Sequence, residues 1–198
     1  MAAATITVPQ SEMPLDARYR GKFGMWCLII AESAIFTIFV VAYLYYAGKS
    51  LSGPTPREVL EVPIFISICL FSSSFTIVMG ERAIHRGNIK LFTLWLFATI
   101  ALGAIFVAGS LREWYRLIYE HGVTISSSLF GTTFYSLVGL HLSHVIVGLT
   151  MLSLVLIFAL LGFVKQEHAE RMGVLALYWH FVDTVWVVVL SVVYFIAR

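Results

Sequence analysis

Charged residues are scarce in this chain. Asp, Glu, Lys and Arg supply 12% of its 198 residues, about half the share found in an ordinary soluble domain. That shortage, with 60% hydrophobic residues and a mean hydropathy of +0.90, excludes a free-standing water-soluble fold and calls for lipid or partner subunits as solvent. Cysteine is scarce too. Cys27 and Cys69 stand far apart, in no CxxC, CxxxC or CxxCH pattern, which argues against covalently attached haem, a zinc ribbon and a dinuclear copper site of paired thiolates. Both sit in apolar runs and read as small buried thiols. A formal net charge of +2 with no basic stripe gives no support for a nucleic-acid partner. Residues 1–20 lack an apolar core of signal-peptide length and read as a flexible N-terminal tail outside the membrane.

Long uncharged runs are what remains. Phe23 to Gly48 holds a single charge, Glu32, and Met172 to Ala197 a single charge, Asp183. Val62 to Gly80, Leu91 to Leu111 and Gly122 to Val164 hold no Asp, Glu, Lys or Arg. Each run supplies the ~20 apolar residues that a helical crossing needs. The last of the uncharged runs could be one span or two. A hairpin at Gly139 to His144 would leave halves of about ten residues, too short to cross, and a turn with unsatisfied backbone groups in hydrocarbon. One long, tilted helix entered through the polar Thr124 to Ser128 segment is the better reading. The expectation is therefore an all-α polytopic bundle of five transmembrane helices over about 23–48, 62–84, 91–115, 126–163 and 172–197, forming one domain from residue 21 to 198. Lys and Arg divide eight against five in favour of an inside N-terminus and an outside C-terminus.

Within these spans an ionisable side chain costs about 2.5–3.5 kcal/mol at the helix centre, so each one needs a reason. Glu32 lies ten residues beyond Lys22, about 15 Å deep along a helix, and is expected to be hydrogen-bonded. His141 and His144 share a face of the fourth helix, as do His180 and Asp183 on the fifth, with Trp186 on the same side. Gly139, Ser143 and Gly148 are small enough to admit a neighbouring helix and turn polar groups inward. We expect Glu32 to reach an imidazole of the fourth helix, His144 by choice, and His180 and Asp183 to form a second polar contact. Three roles stand open for these residues: a hydrogen-bonded packing network, a proton or ion pathway, and haem or metal ligation. A di-iron bundle is disfavoured by the absence of any Glu-x-x-His. Bis-histidine haem ligation by His141 or His144 with His180 is compatible with the spacing. A transporter lacks proline-broken spans and inverted halves.

The same residues carry a family resemblance. YWHFVDTVW at 178–186, GTTFYSLVGLHLSHVIVG at 131–148, LEVPI at 60–64 and GMWCLIIAESAIF at 24–36 together resemble subunit III of the haem–copper respiratory oxidases. The resemblance runs over nearly the whole chain from residue 20 onward. It implies an accessory subunit that carries no catalytic residue and binds no metal itself, with haem and copper in partner subunits. It also implies packing on catalytic subunit I, support of proton uptake, a V-shaped cleft that holds phospholipids, and membership of a larger oxidase or respiratory supercomplex. Many members have seven spans; this chain resembles the five-span bacterial form, beginning at the third, and so implies the bacterial cytoplasmic membrane. Glu32, His141, His144, His180 and Asp183 are then candidates for the buried polar network or the lipid cleft. Cytochrome c oxidase is the leading type. Quinol oxidase and a partner of nitric oxide reductase are alternatives within the family, and a proton-coupled transporter is one from another class.

Overall fold

A computed structural model describes residues 15–49 and 62–196, with side chains from residue 20. Among the described residues the regular structure is all helical: α1 (Leu15–Tyr46), α2 (Ile64–His85), α3 (Ile89–Tyr119), α4 (Leu129–Leu160) and α5 (Ala169–Ser191), the last preceded by a short 3₁₀ turn and continued by a π-helical turn over Val192–Ile196. Among the described residues, five helices are long and apolar enough to cross a membrane. Helix is the expected form because hydrocarbon offers backbone groups no outside partner.

The chain marks its helix ends with polar and glycine residues. Asn88 Oδ1 accepts from the Leu91 amide at the start of α3, and Ser128 Oγ accepts from the Gly131 amide at the start of α4. Each hydroxyl or amide oxygen satisfies one of the amides a first turn leaves open. Gly48, Gly87, Gly122 and Gly162 follow the ends of α1 to α4, all with φ between +63° and +78°, the left-handed region a side chain disfavours. At Gly87 and Gly162 the chain closes in paired reverse bonds, Asn88 N–H to Ala83 O at 3.0 Å and Phe163 N–H to Phe158 O at 3.0 Å.

These caps place the helices a little differently from the apolar runs. α1 begins at Leu15, so the polar stretch 15–20 is helical, while residues 1–14 of the expected tail and the 50–61 connection lie outside the described residues. α3 extends to Tyr119 and α4 starts at Leu129. Helix ends are set by caps in water, whereas apolar runs report only the part that meets lipid.

α4 and α5 form the middle of the bundle. α4 packs on α1, α3 and α5; α5 packs on α1, α2 and α4; α1 touches only α4 and α5 to any extent. Accordingly, 11% of the residues in the most apolar stretch of α1 are buried, against 56% in that of the last span. This explains Cys27, which is exposed on α1 and not buried as its apolar setting implied, while Cys69 on α2 is buried.

Close approach in the centre depends on two glycines. Trp179 of α5 is wholly buried between Gly103 of α3 and Gly148 of α4. A Cβ at Gly148 would stand 2.9 Å from its ring, and one at Gly103 would stand 3.0 Å from it. Ser143, by contrast, is exposed and donates to its own helix at Leu140 O. It does not turn inward, because four residues from Gly139 is 400° of helix and carries it to the outer edge of the face.

Candidate functional site

Two polar seams cross the bundle. The first joins α1 to α4. His144 Nδ1 lies 2.8 Å from Leu140 O, and its Nε2 lies 3.1 Å from Glu32 Oε2. A carbonyl only accepts, so Nδ1 must carry hydrogen. Nε2 and the carboxyl oxygen then share one further proton, as a neutral acid on a neutral ring or as a carboxylate on an imidazolium. The Glu32 side chain is 23% exposed and the His144 side chain 15%. The ring of Phe36, one turn along α1 from Glu32, covers the imidazole at 5.1 Å between centroids. Tyr178 Oη donates to His144 O at 3.2 Å, tying the same turn of α4 to α5.

The second seam joins α2 to α5, which run antiparallel. Trp186 Nε1 donates to Ser67 Oγ at 3.0 Å, and Trp179 Nε1 donates to Ser73 Oγ at 2.9 Å. Each of these hydroxyls spends its own proton on its helix, Ser67 to Pro63 O and Ser73 to Leu70 O, and so remains an acceptor for the indole. Next to Ser73, Ser74 Oγ donates to Asp183 Oδ2. Its oxygen also lies 3.1 Å from His180 Nδ1. With the hydroxyl proton given to Asp183, His180 must donate through Nδ1–H.

His180 and Asp183 therefore meet through a serine of another helix and not directly, as their shared face had implied. Two donors and acceptors one turn apart on a single helix point the same way; a third group from the opposite helix bridges them. Nothing in the sequence reading singled out Ser67, Ser73 or Ser74. A signal was present: Ser67 and Ser74 are seven residues apart, as are Trp179 and Trp186, so both sets form stripes of two helical turns.

His141 stands apart from both seams. It is fully buried, stacked on Trp186 at 5.0 Å and met edge-on by Phe106 at 5.9 Å. Neither of its nitrogens has a hydrogen-bond partner, nor has Asp183 Oδ1. His141 and His144 share a face only loosely, since three residues are 300° of helix; one ring looks to α3 and α5, the other to α1. Far along the bundle, Tyr194 Oη donates to Glu113 Oε1 at 2.9 Å. The π-helical turn at Val192–Ile196 carries Tyr194, and such a turn re-aims one side chain relative to a regular helix. Glu113, which lies between Arg112 and Arg116, was not singled out in the sequence.

Chemically, the arrangement holds helices together. His144 is engaged at both nitrogens, His180 at Nδ1 by a serine, and His141 lies between aromatic rings. Three imidazoles with three separate sets of neighbours do not make the facing pair that an axially ligated haem requires, and no three His, Cys, Asp or Glu converge among the described residues. A groove of about 470 Å³ runs between α1 and α5, lined by Trp26, Phe36, Val40, Phe181 and Val188, with His180 on its wall.

With five membrane-length apolar helices among the described residues, the chain falls in the class of all-helical, multi-span membrane proteins. Comparison with known proteins places it further: residues 16–198 match the family model of cytochrome c oxidase subunit III, and the chain belongs to that family. It is 39% identical to cytochrome c oxidase subunit 3 of Corynebacterium diphtheriae over 96% of this chain and 95% of that one. It is 32% identical to the Alkalihalophilus pseudofirmus protein of the same name over 91% and 90%. Quinol oxidase subunit 3 of Bacillus subtilis is 29% identical over 86% and 84%. The chain is thus subunit III of a haem–copper oxidase, a multi-pass protein of the bacterial cytoplasmic membrane and a member of an oxidase complex.

Proposed function

We propose that this chain is a non-catalytic subunit of a proton-pumping oxidase, that it packs on catalytic subunit I, and that it stabilises that subunit and its proton supply during turnover. The supporting observation is the pairing of Glu32 with His144 and of Ser74 with Asp183 and His180. These contacts leave the polar groups serving the bundle instead of a substrate. The donor is cytochrome c in this reading, in line with the names of the relatives at 39% and 32% identity. Haem and copper reside in the partner subunits, phospholipid fills the groove between α1 and α5, and the N-terminus faces the cytoplasm. A larger respiratory supercomplex is a natural setting.

The test is purification of the tagged chain from membranes in mild detergent. A haem-bearing partner chain should co-purify, and oxygen uptake should follow addition of reduced cytochrome c rather than a quinol. Stoichiometric haem on the chain expressed alone, or a preparation with no haem-bearing partner, would overturn the proposal.

A further inference from the structure

Three serines of α2 face α5, and they do not spend their protons alike. Ser67 and Ser73 donate to carbonyls of their own helix, Pro63 O and Leu70 O, the ordinary habit of a serine inside a helix. Ser74 gives its proton to the Asp183 carboxyl of α5 instead. Its oxygen accepts at the same time from His180 Nδ1–H, 3.1 Å away. One hydroxyl thus stands between an imidazole and a carboxyl, acceptor from the first and donor to the second.

The two ends of this chain differ in access. Asp183 is 5% exposed, and its Oδ1 has no hydrogen-bond partner among the described residues. A buried carboxylate that stayed ionised would call for partners at both oxygens; Asp183 has one at Oδ2. His180 is only part-buried and lines the groove between α1 and α5. With its Nδ1–H committed to Ser74, its Nε2 holds a lone pair that can take a proton. The other ionisable groups around the seam are placed elsewhere. Glu81 of α2 lies two helical turns from Ser74, against Gly173 of α5 and 4.0 Å from His85 Nε2. α1 faces the groove with Ser33 and Thr37, while its Glu32 is turned to His144 of α4. His141 of α4 is enclosed by rings. His180 is the titratable group set between Asp183 and the groove.

We propose that His180 and Ser74 form a proton relay that loads and unloads the Asp183 carboxyl from the groove side. A proton arrives at His180 Nε2. As Nδ1–H passes to Ser74 Oγ, the Ser74 proton passes to Asp183 Oδ2. Both hydrogen bonds reverse: Asp183 becomes a neutral acid that donates to Ser74, Ser74 donates to His180 Nδ1, and the ring is left neutral with its hydrogen on Nε2. One proton is taken up and no other bond changes; the reverse order releases it. The relay goes beyond the supporting role proposed above and does not rest on it, because the exchange belongs to the bundle at rest, whether or not the oxidase turns over.

The test uses infrared difference spectra of the purified, resting oxidase complex in lipid vesicles. The C=O stretch of a neutral carboxylic acid lies above the amide bands and shifts when deuterium replaces its hydrogen. In mildly acidic buffer, wild type minus Asp183→Asn should show one such band, and transfer to heavy water should shift it. His180→Gln keeps an amide N–H to donate to Ser74 but takes up no proton. In that variant the band should remain, and its deuterium shift should slow by about a hundredfold or more, the lower end of what a positioned proton-transfer group contributes. Ser74→Ala should slow the shift as much, and Ser74→Thr, which retains the hydroxyl, should exchange at the wild-type rate. His180→Gln decides the matter if Ser74→Ala fails to assemble. Absence of an Asp183 band at every pH, a band that never shifts in heavy water, or a shift in His180→Gln as fast as in wild type overturns the proposal.

Discussion

Removing the Glu32 carboxyl leaves His144 with one nitrogen committed and the other bare. Nδ1–H stays on Leu140 O at 2.8 Å, and Nε2 becomes an acceptor without a donor. Little water reaches it, since the side chain is 15% exposed and what it meets is lipid or a partner. Interhelical hydrogen bonds in membranes average ~0.6 kcal/mol and reach ~1.7 kcal/mol, and an orphaned buried group adds a penalty of about 1–3 kcal/mol. Glu32→Ala should therefore loosen the α1–α4 contact by about 1–3 kcal/mol. Glu32→Gln should cost less than about 0.5 kcal/mol, because its amide N–H can donate to the same nitrogen. The informative variant is Glu32→Leu with His144→Phe. Removing both partners removes the orphan as well, and the Phe36 ring already packs on that imidazole, so most of the loss should be recovered. The assay is retention of the subunit in the purified complex through a temperature ramp, read by densitometry. Equal loss from the Gln and Ala variants, or a double variant as weak as the sum of its parts, would refute the one-proton contact as a structural element.

Two further outcomes follow from the second seam and from the glycines. Ser74→Ala should destabilise more than Ser67→Ala, since it strands both Asp183 and His180 where Ser67→Ala strands only the Trp186 indole; the expected gap is about 1 kcal/mol or more, measured by the same ramp. Gly148→Leu should prevent α4 and α5 from closing on Trp179 and abolish stable assembly, whereas Gly162→Ala, with open space around its Cβ but a φ of +78°, should cost only the ~1 kcal/mol of a left-handed residue; equal yields of the two variants would show that the close packing at Trp179 is dispensable.

Much of the architecture was legible in the sequence because membrane spans are local. Whether a run of twenty residues enters hydrocarbon depends on its own transfer energy, so charge-free stretches and their bounding Lys, Arg and Gly residues reveal five helices without reference to packing. The choice of His144 over His141 had no such local signal: the two lie three residues apart on one helix, and the packing of α1 against α4 separates them. What failed was finer. Cys27 looked buried because its run is apolar, but apolar positions in a membrane protein face either lipid or protein, and hydropathy does not distinguish the two.

The sequence by itself determined that five rods cross the bilayer, that a handful of ionisable groups lie at depth, and that its motifs resemble those of subunit III. Only the tertiary structure decided who meets whom. Ser67, Ser73 and Ser74 are unremarkable in an apolar helix until α5 runs antiparallel beside them, presenting Trp186 to Ser67, Trp179 to Ser73 and, from between the two tryptophans, Asp183 to Ser74. His141 and His144 are near neighbours in sequence, yet one is enclosed by rings and the other bonded across to α1. The physical reason is one of range: insertion energy is summed along a segment, but a hydrogen bond between helices depends on rotation and register, which all the packed neighbours set together.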